Sequence, residues 1–181
     1  MRRTLFALII LCVLCFCSQK RNSIDVEEPA GEEQPDSESW NITLVLTKEG
    51  VKTAEVKAGH MKSFTIRNTS ELSDSVEADF YNDNGAHTSR LTALEAAIDD
   101  SKELIVARNK VVVVSDSGGV TLKTSELFYD RHRDLIYTDK YVIFVTETDT
   151  LKGYGFESDR ALRHYTIHQI SGKFKRVLEK K

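Results

Sequence analysis

Cysteine stops early in this chain. Its only three, Cys12, Cys15 and Cys17, lie within the first 17 of 181 residues. No disulfide can therefore staple anything that follows them. Proline is scarcer still, with 2 residues, and glycine numbers 9, which excludes a collagen-like or low-complexity body. Basic charge is in slight deficit, 25 Lys and Arg against 28 Asp and Glu, for a formal net charge of −3. A weakly acidic chain lacks the basic footprint that nucleic acid requires. The longest unbroken apolar run, Leu5 to Phe16, has 12 residues, well short of the ~20 that span a bilayer as a helix.

Catalytic signatures are missing too. There is no nucleophile elbow and no phosphate-cradling loop. Gly153-Tyr154-Gly155 is too short for a dinucleotide fingerprint and reads as a bulge or a close backbone approach. The five histidines, His60, His87, His132, His164 and His168, are scattered. His164 and His168 on one strand would stand about 13 Å apart at ~3.3 Å per residue, too far to share a metal. Asp130, Asp134 and Asp139 offer carboxylates for sugar hydrolysis. Their place at strand corners favours turn capping by the Asp side chain instead. No enzyme, cofactor or metal site is predicted.

What is present begins with a targeting segment, residues 1–17. Arg2 and Arg3 form a basic start, and the 12-residue apolar run follows, as in a secretory signal. Cys17 closes that run, with Leu14 three residues before it and polar Ser18, Gln19 and Lys20 after it. This is the arrangement of a bacterial lipoprotein signal, with Cys17 as the lipid attachment site. Cys15, or an uncleaved segment, is the alternative. Residues 18–38 contain IDVEEPAGEEQPDSE and both prolines. Such an acidic stretch buries too little apolar area to offset its ordering entropy, and reads as a solvated tether.

From residue 39 to 176 the pattern changes to short apolar alternations of period two. These are broken by Asn-, Asp- and Gly-rich corners, the signature of antiparallel strands. Strands are expected at 41–46 and 51–58, at Phe64 and Ile66, and over 75–81, with corners at Glu49-Gly50, Gly59-His60 and Asn82 to Gly85. The clearest stretch runs from Gly119 to Val145. Shifted back by 31 residues, it overlays Leu122 on Leu91, Asp130 on Asp99, Ile136 on Ile105 and Val142 on Val111. Shifted forward by 29, it overlays Leu122 on Leu151, Asp130 on Asp159 and Arg131 on Arg160. A repeated strand-corner-strand unit cannot bury its apolar face alone, and stacked units bury a common core. Residues 91–98 have helical propensity, yet the repeat makes them strand. Residues 177–181 end the chain as a basic tail.

Gly119, Leu122, Thr124, Leu127, Tyr129, Asp130, Ile136, Thr138, Asp139, Val142, Gly153 and Gly155 form an ordered set. In that order the chain resembles the LptC family of periplasmic lipopolysaccharide-export proteins, over about Trp40 to Gly172. The resemblance implies an all-β fold, a single open β-jelly roll. It also implies a periplasmic carrier held at the inner membrane of a Gram-negative cell. Such a carrier accepts lipopolysaccharide from an inner-membrane ABC transporter and passes it to an LptA-like bridge protein. By alternation, the inward face that would meet lipid holds Val76, Phe80, Leu104, Val106, Val111, Val113, Val120, Leu122, Leu127, Tyr129, Ile136, Val142, Phe144 and Phe156. The last strand, with Tyr165, Ile167 and Ile170, is the expected partner edge. The competing expectations are a structural envelope lipoprotein with a closed roll and a hydrolase built on Asp130 or Asp134.

Overall fold

The computed structural model describes residues 33–116 and 119–171. The targeting segment with Cys17, most of the acidic tether and the basic tail lie outside the described residues. Among the described residues every regular element is a β-strand, and all 11 join one antiparallel sheet. They are β1 (Ser37–Lys48), β2 (Val51–Phe64), β3 (Thr69–Ser73), β4 (Val76–Tyr81), β5 (His87–Ala93) and β6 (Glu95–Asp99). β7 (Leu104–Ser115), β8 (Thr121–Asp130), β9 (Leu135–Val145), β10 (Thr150–Ser158) and β11 (Tyr165–Ile170) follow.

Two strands fork the sheet into two layers. Along one edge, β2 pairs with β4 through Ala54–Lys57 and with β3 through His60–Phe64. In the same way β7 pairs with β6 through Leu104–Arg108 and with β5 through Val112–Ser115. Because β3 pairs with β6 and β4 with β5, the path returns on itself and a β-jelly roll results. The long strands run through both layers and crease halfway. Gly59 marks the crease in β2, where an added Cβ would come within 2.6 Å of the Asp74 carbonyl oxygen. In β7 it is Asn109 and Lys110, both at positive φ, with a register shift against β8. In β10 it is Gly155, at φ +74°. Opposite these creases the hairpin turns gather in two lips. One lip carries the turns at 65–68, 100–103, 131–134 and 159–164, and the other those at 49–50, 82–86 and 146–149.

The repeat is visible as three-dimensional chemistry. Asp99 accepts the Lys102 amide at 3.0 Å, and Asp130 accepts the Arg133 amide at 2.8 Å. Each Asp also pairs with that residue's own cation, at 2.6 and 2.7 Å. Glu103 and Asp134 then close their corners at φ 51° and 53°. Arg131 of one corner reaches Asp100 of the other at 2.8 Å. Residues 91–98 are strand, as the repeat demands, interrupted only at Leu94.

Three local expectations change. Gly59-His60 is a crease within one 14-residue strand rather than a corner, because tertiary approach of Asp74 takes up the space a side chain would fill. Ile66 is 91% exposed in the following turn, and the third strand is Thr69–Ser73. His164 precedes β11 and lies in a corner, so it shares no strand with His168.

Candidate functional site

The space between the layers is the roll's interior, and its lining follows from strand parity. Of the expected inward residues, Val76, Phe80, Leu127, Tyr129 and Ile136 surround an apolar cavity of about 40 Å³. Val111, Val113, Leu122, Val142, Phe144 and Phe156 are at most 2% exposed and belong to the same core. Phe144 and Phe156 lie 5.5 Å apart, ring centre to ring centre. Val120 is half-buried against that core. Leu104 and Val106 are corrections. They alternate with Ile105 and Ala107, which line the cavity, so they point to the opposite face. The parity of Val111 and Val113, continued back along β7, leads to Ala107 and Ile105.

Sequence reasoning placed Val56 of β2 inside but otherwise missed the contribution of β1, β2, β3 and β6. Leu46, Ala54, Val56, Leu72, Ala96 and Ile98 line the cavity. Small alanines give little hydrophobic signal, yet they let the two layers approach. A site for a drug-sized apolar ligand measures ~300–1,000 Å³. At about 40 Å³ the interior is nearly closed, and admitting an acyl chain requires the layers to part.

The mouth between the lips is divided. One part is bridged by the β10–β11 corner, Asp159 to His164, which crosses from one lip to the other. Ser89 donates its hydroxyl to the Arg160 carbonyl and Ser115 to the Ala161 carbonyl, each at 2.7 Å. These two serines face each other across β5 and β7 and are 0% and 3% exposed. Leu162, at φ 57°, is buried beneath the bridge. The Arg160 guanidinium donates to the Thr53 and Tyr81 carbonyls, each at 3.2 Å. It also meets Asp134 on its own lip, through Nε at 2.6 Å and Nη2 at 3.2 Å. Tyr129 donates its hydroxyl to the same carboxylate at 3.0 Å. Burial pushes the Tyr129 pKa well above the usual phenol value, so the hydroxyl keeps its proton.

The rest of the mouth is a polar vestibule of about 470 Å³. Its walls include Val45, Lys48, Thr53, Arg131 and Asp134, and it shares Leu46 and Tyr129 with the apolar cavity. The two spaces are therefore neighbours, polar outside and apolar inside.

The acidic side chains are committed to structure. Asp130 caps its corner, Asp134 holds Arg160, and exposed Asp139 pairs with Lys140 at 3.0 Å. Asp79, buried at 7% exposure, is held by Arg90 at 2.6 Å and His87 at 3.0 Å. Burial pushes the Asp79 pKa up, but those two donors and their charges outweigh it and hold the carboxyl below its ordinary value. Among the described residues no cluster of His, Cys, Asp and Glu has the geometry of a metal site.

Two strands have an unused edge. β1 pairs only with β2, and β11 pairs only with β10, among the described residues. On β11, Ile170 is 50% exposed. Ile167 is half-buried, and the Tyr165 ring packs at a 41° tilt against Phe144 with centroids 4.1 Å apart. Ile170 is thus the most available of the three expected edge residues.

No curated protein matches the chain at a significant level. The family comparison is decisive. Residues 5–171 match the model described as lipopolysaccharide-assembly, LptC-related, and with an all-β jelly roll beneath that match the chain belongs to the LptC-related family, which serves lipopolysaccharide transport.

Proposed function

We propose that this protein shelters the acyl chains of lipopolysaccharide between its two layers while the glycolipid crosses the periplasm. In this reading it stands beside the inner membrane, held there through the lipidated Cys17 or the uncleaved segment. It accepts the glycolipid from the ABC transporter there and hands it to an LptA-like bridge protein. The observation that carries the reading is an apolar interior lying directly behind a polar mouth between two lips, with Leu46 and Tyr129 as the shared wall. Burying alkyl chain contributes about 0.8 kcal/mol per CH2, so several chains drive their own transfer into such a space. No catalytic group is needed, since the transporter's ATP supplies the work.

Replacing Phe80 with benzoylphenylalanine in the full-length chain tests this in growing Gram-negative cells. Phe80 is a better position than Phe144, which is sealed against Tyr165 and does not line the cavity. Illumination is expected to give a photoproduct carrying lipopolysaccharide. The small volume of the cavity favours one other reading, a closed structural roll, and absence of that photoproduct would select it.

The free edge of β11 supports docking of the bridge by strand addition, in which backbone hydrogen bonds supply affinity. Thr166→Pro is expected to abolish capture of the bridge protein from cells while the roll stays folded. Capture at the wild-type level would move the docking site elsewhere.

A further inference from the structure

We propose that the acyl chains enter through the vestibule beside the β1–β2 hairpin, and that Arg160 is the latch that closes the mouth next to it. This rests on the carrier reading above, and adds the route and the residue that guards it.

Four observations converge. First, the vestibule and the cavity share Leu46 and Tyr129 as a common wall. A chain passing between those two side chains leaves a polar space and enters an apolar one. An amphiphile needs that sequence of surroundings, since its head stays hydrated while its tail is buried. Second, the bridge across the mouth is held by polar contacts rather than by strand ladders. Ser89, Ser115 and the Arg160 guanidinium supply them. Third, the Arg160 side chain touches both lips at once. It holds Thr53 and Tyr81 on one lip and Asp134 on the other. Its side chain is 13% exposed, and the Asp134 side chain beside the vestibule is 48% exposed. The pair can therefore be reached by an incoming polar head. Fourth, the vestibule holds cationic donors with capacity to spare. Lys48 makes no ion pair among the described residues, and the Arg131 Nε–H is without a hydrogen-bond partner.

The ligand this arrangement fits is an amphiphile with apolar chains and a polar, hydrogen-bonding head. Its head competes for the Arg160–Asp134 contact at the rim. Once the guanidinium leaves Asp134 and releases the Thr53 and Tyr81 carbonyls, the lips are joined, among the described residues, only by the serine bonds and by the burial of Leu162. The layers can then part enough for a chain to follow. Arg160 acts here as a positioning residue, through the bridge that carries it.

The test uses benzoylphenylalanine at three positions of the full-length chain in cells. Val45, 53% exposed, stands on the vestibule wall, Phe80 lines the cavity, and Tyr154, 52% exposed, is outside both. The expected result is lipopolysaccharide adducts at Val45 and Phe80 and none at Tyr154. Asp134→Asn removes the charge from the latch with little change of shape, and is expected to raise the Phe80 yield several-fold. Arg160→Lys, which keeps the charge but loses the fork, makes the same test should Asp134→Asn fail to accumulate. An adduct at Phe80 without one at Val45 would overturn the port while leaving the carrier in place. So would equal labelling at Val45 and Tyr154. An unchanged Phe80 yield in the latch variants would overturn the latch. No adduct at Phe80 in any background would overturn the carrier, and the port with it.

Discussion

The corners Asp130–Asp134 and Asp159–His164 descend from one repeat, yet they do different things. Both open on an Asp that caps a backbone amide, Arg133 at 2.8 Å in one and Arg163 at 3.0 Å in the other. Both carry an arginine directly after that Asp, and both contain a residue at positive φ, Asp134 at 53° and Leu162 at 57°. The first corner connects its strands with residues 131–134 and stays at the surface. The second uses residues 159–164, two more, and turns inward to bury Ala161 and Leu162 at 8% and 2% exposure. Two added residues converted a surface turn into a tie across the mouth. The capping chemistry stayed the same, while the extra length gave the second corner partners on the other lip.

The largest test of that contrast removes the buried side chain. Leu162→Ala is expected to lower unfolding stability by about 2–4 kcal/mol, the usual cost of emptying a buried leucine site. Positive φ strains Ala and Leu alike, so the loss reports packing. Arg133→Ala in the short corner touches an exposed ion pair and is expected to cost no more than about 1 kcal/mol. Urea denaturation of both variants makes the comparison, and equal losses would erase the distinction between the corners.

Next in size are the serines. Ser89→Ala and Ser115→Ala each leave a carbonyl of the long corner without its donor. Each is expected to cost about 1–2 kcal/mol, the penalty for a buried polar group left unpaired. Hydrogen exchange at the Leu162 amide, which donates to the Asp159 carbonyl at 3.1 Å, should quicken in both. Amides of the short corner should be unmoved.

The smallest effect is acid sensitivity, which the corners share. The Lys102 side chain holds the Asp99 carboxyl low, and the Arg133 amide does the same for Asp130. At Asp159 burial pushes the pKa up, but the His164 hydrogen bond and the Arg163 amide outweigh it. A carboxyl held low in the fold adds stability above its unfolded pKa, near 3.8. That stability is lost as pH falls through the lower folded value. Denaturation midpoints are therefore expected to be insensitive to these groups near neutrality and to drop below about pH 4. Asp159→Asn should flatten part of that drop. An unchanged profile would mean the Asp159 cap contributes nothing.

The sequence announced the corners more clearly than the surfaces. Asp99, Asp130 and Asp159 stand at spacings that alignment of the chain with itself exposes, and each became a cap. The same register outweighed helix propensity over 91–98. Gly59 was misleading because its neighbours read as a turn, whereas Asp74, 15 residues away, decides its role. The facing of Leu104 and Val106 was lost because alternation was counted in two phases, 104/106 and 111/113, on either side of the Arg108–Lys110 stretch where β7 shifts register against β8. Nothing local marks Leu162 as buried or Arg160 as a tie. Their partners lie on β2, β4, β5, β7 and the β8–β9 turn, and no short window of sequence contains both sides of those contacts. The candidate interior was legible where strands alternate large and polar residues, and illegible where alanines make the wall.

The creases of β2, β7 and β10 lie on the side away from the lips. Widening the gap can therefore proceed like opening a book, with rotation at the binding and the pages intact. Ladder hydrogen bonds within each page keep their register throughout. In the carrier we propose, the energy needed to admit cargo is then set by a handful of contacts at the fore-edge, where it can be retuned without redesigning the walls.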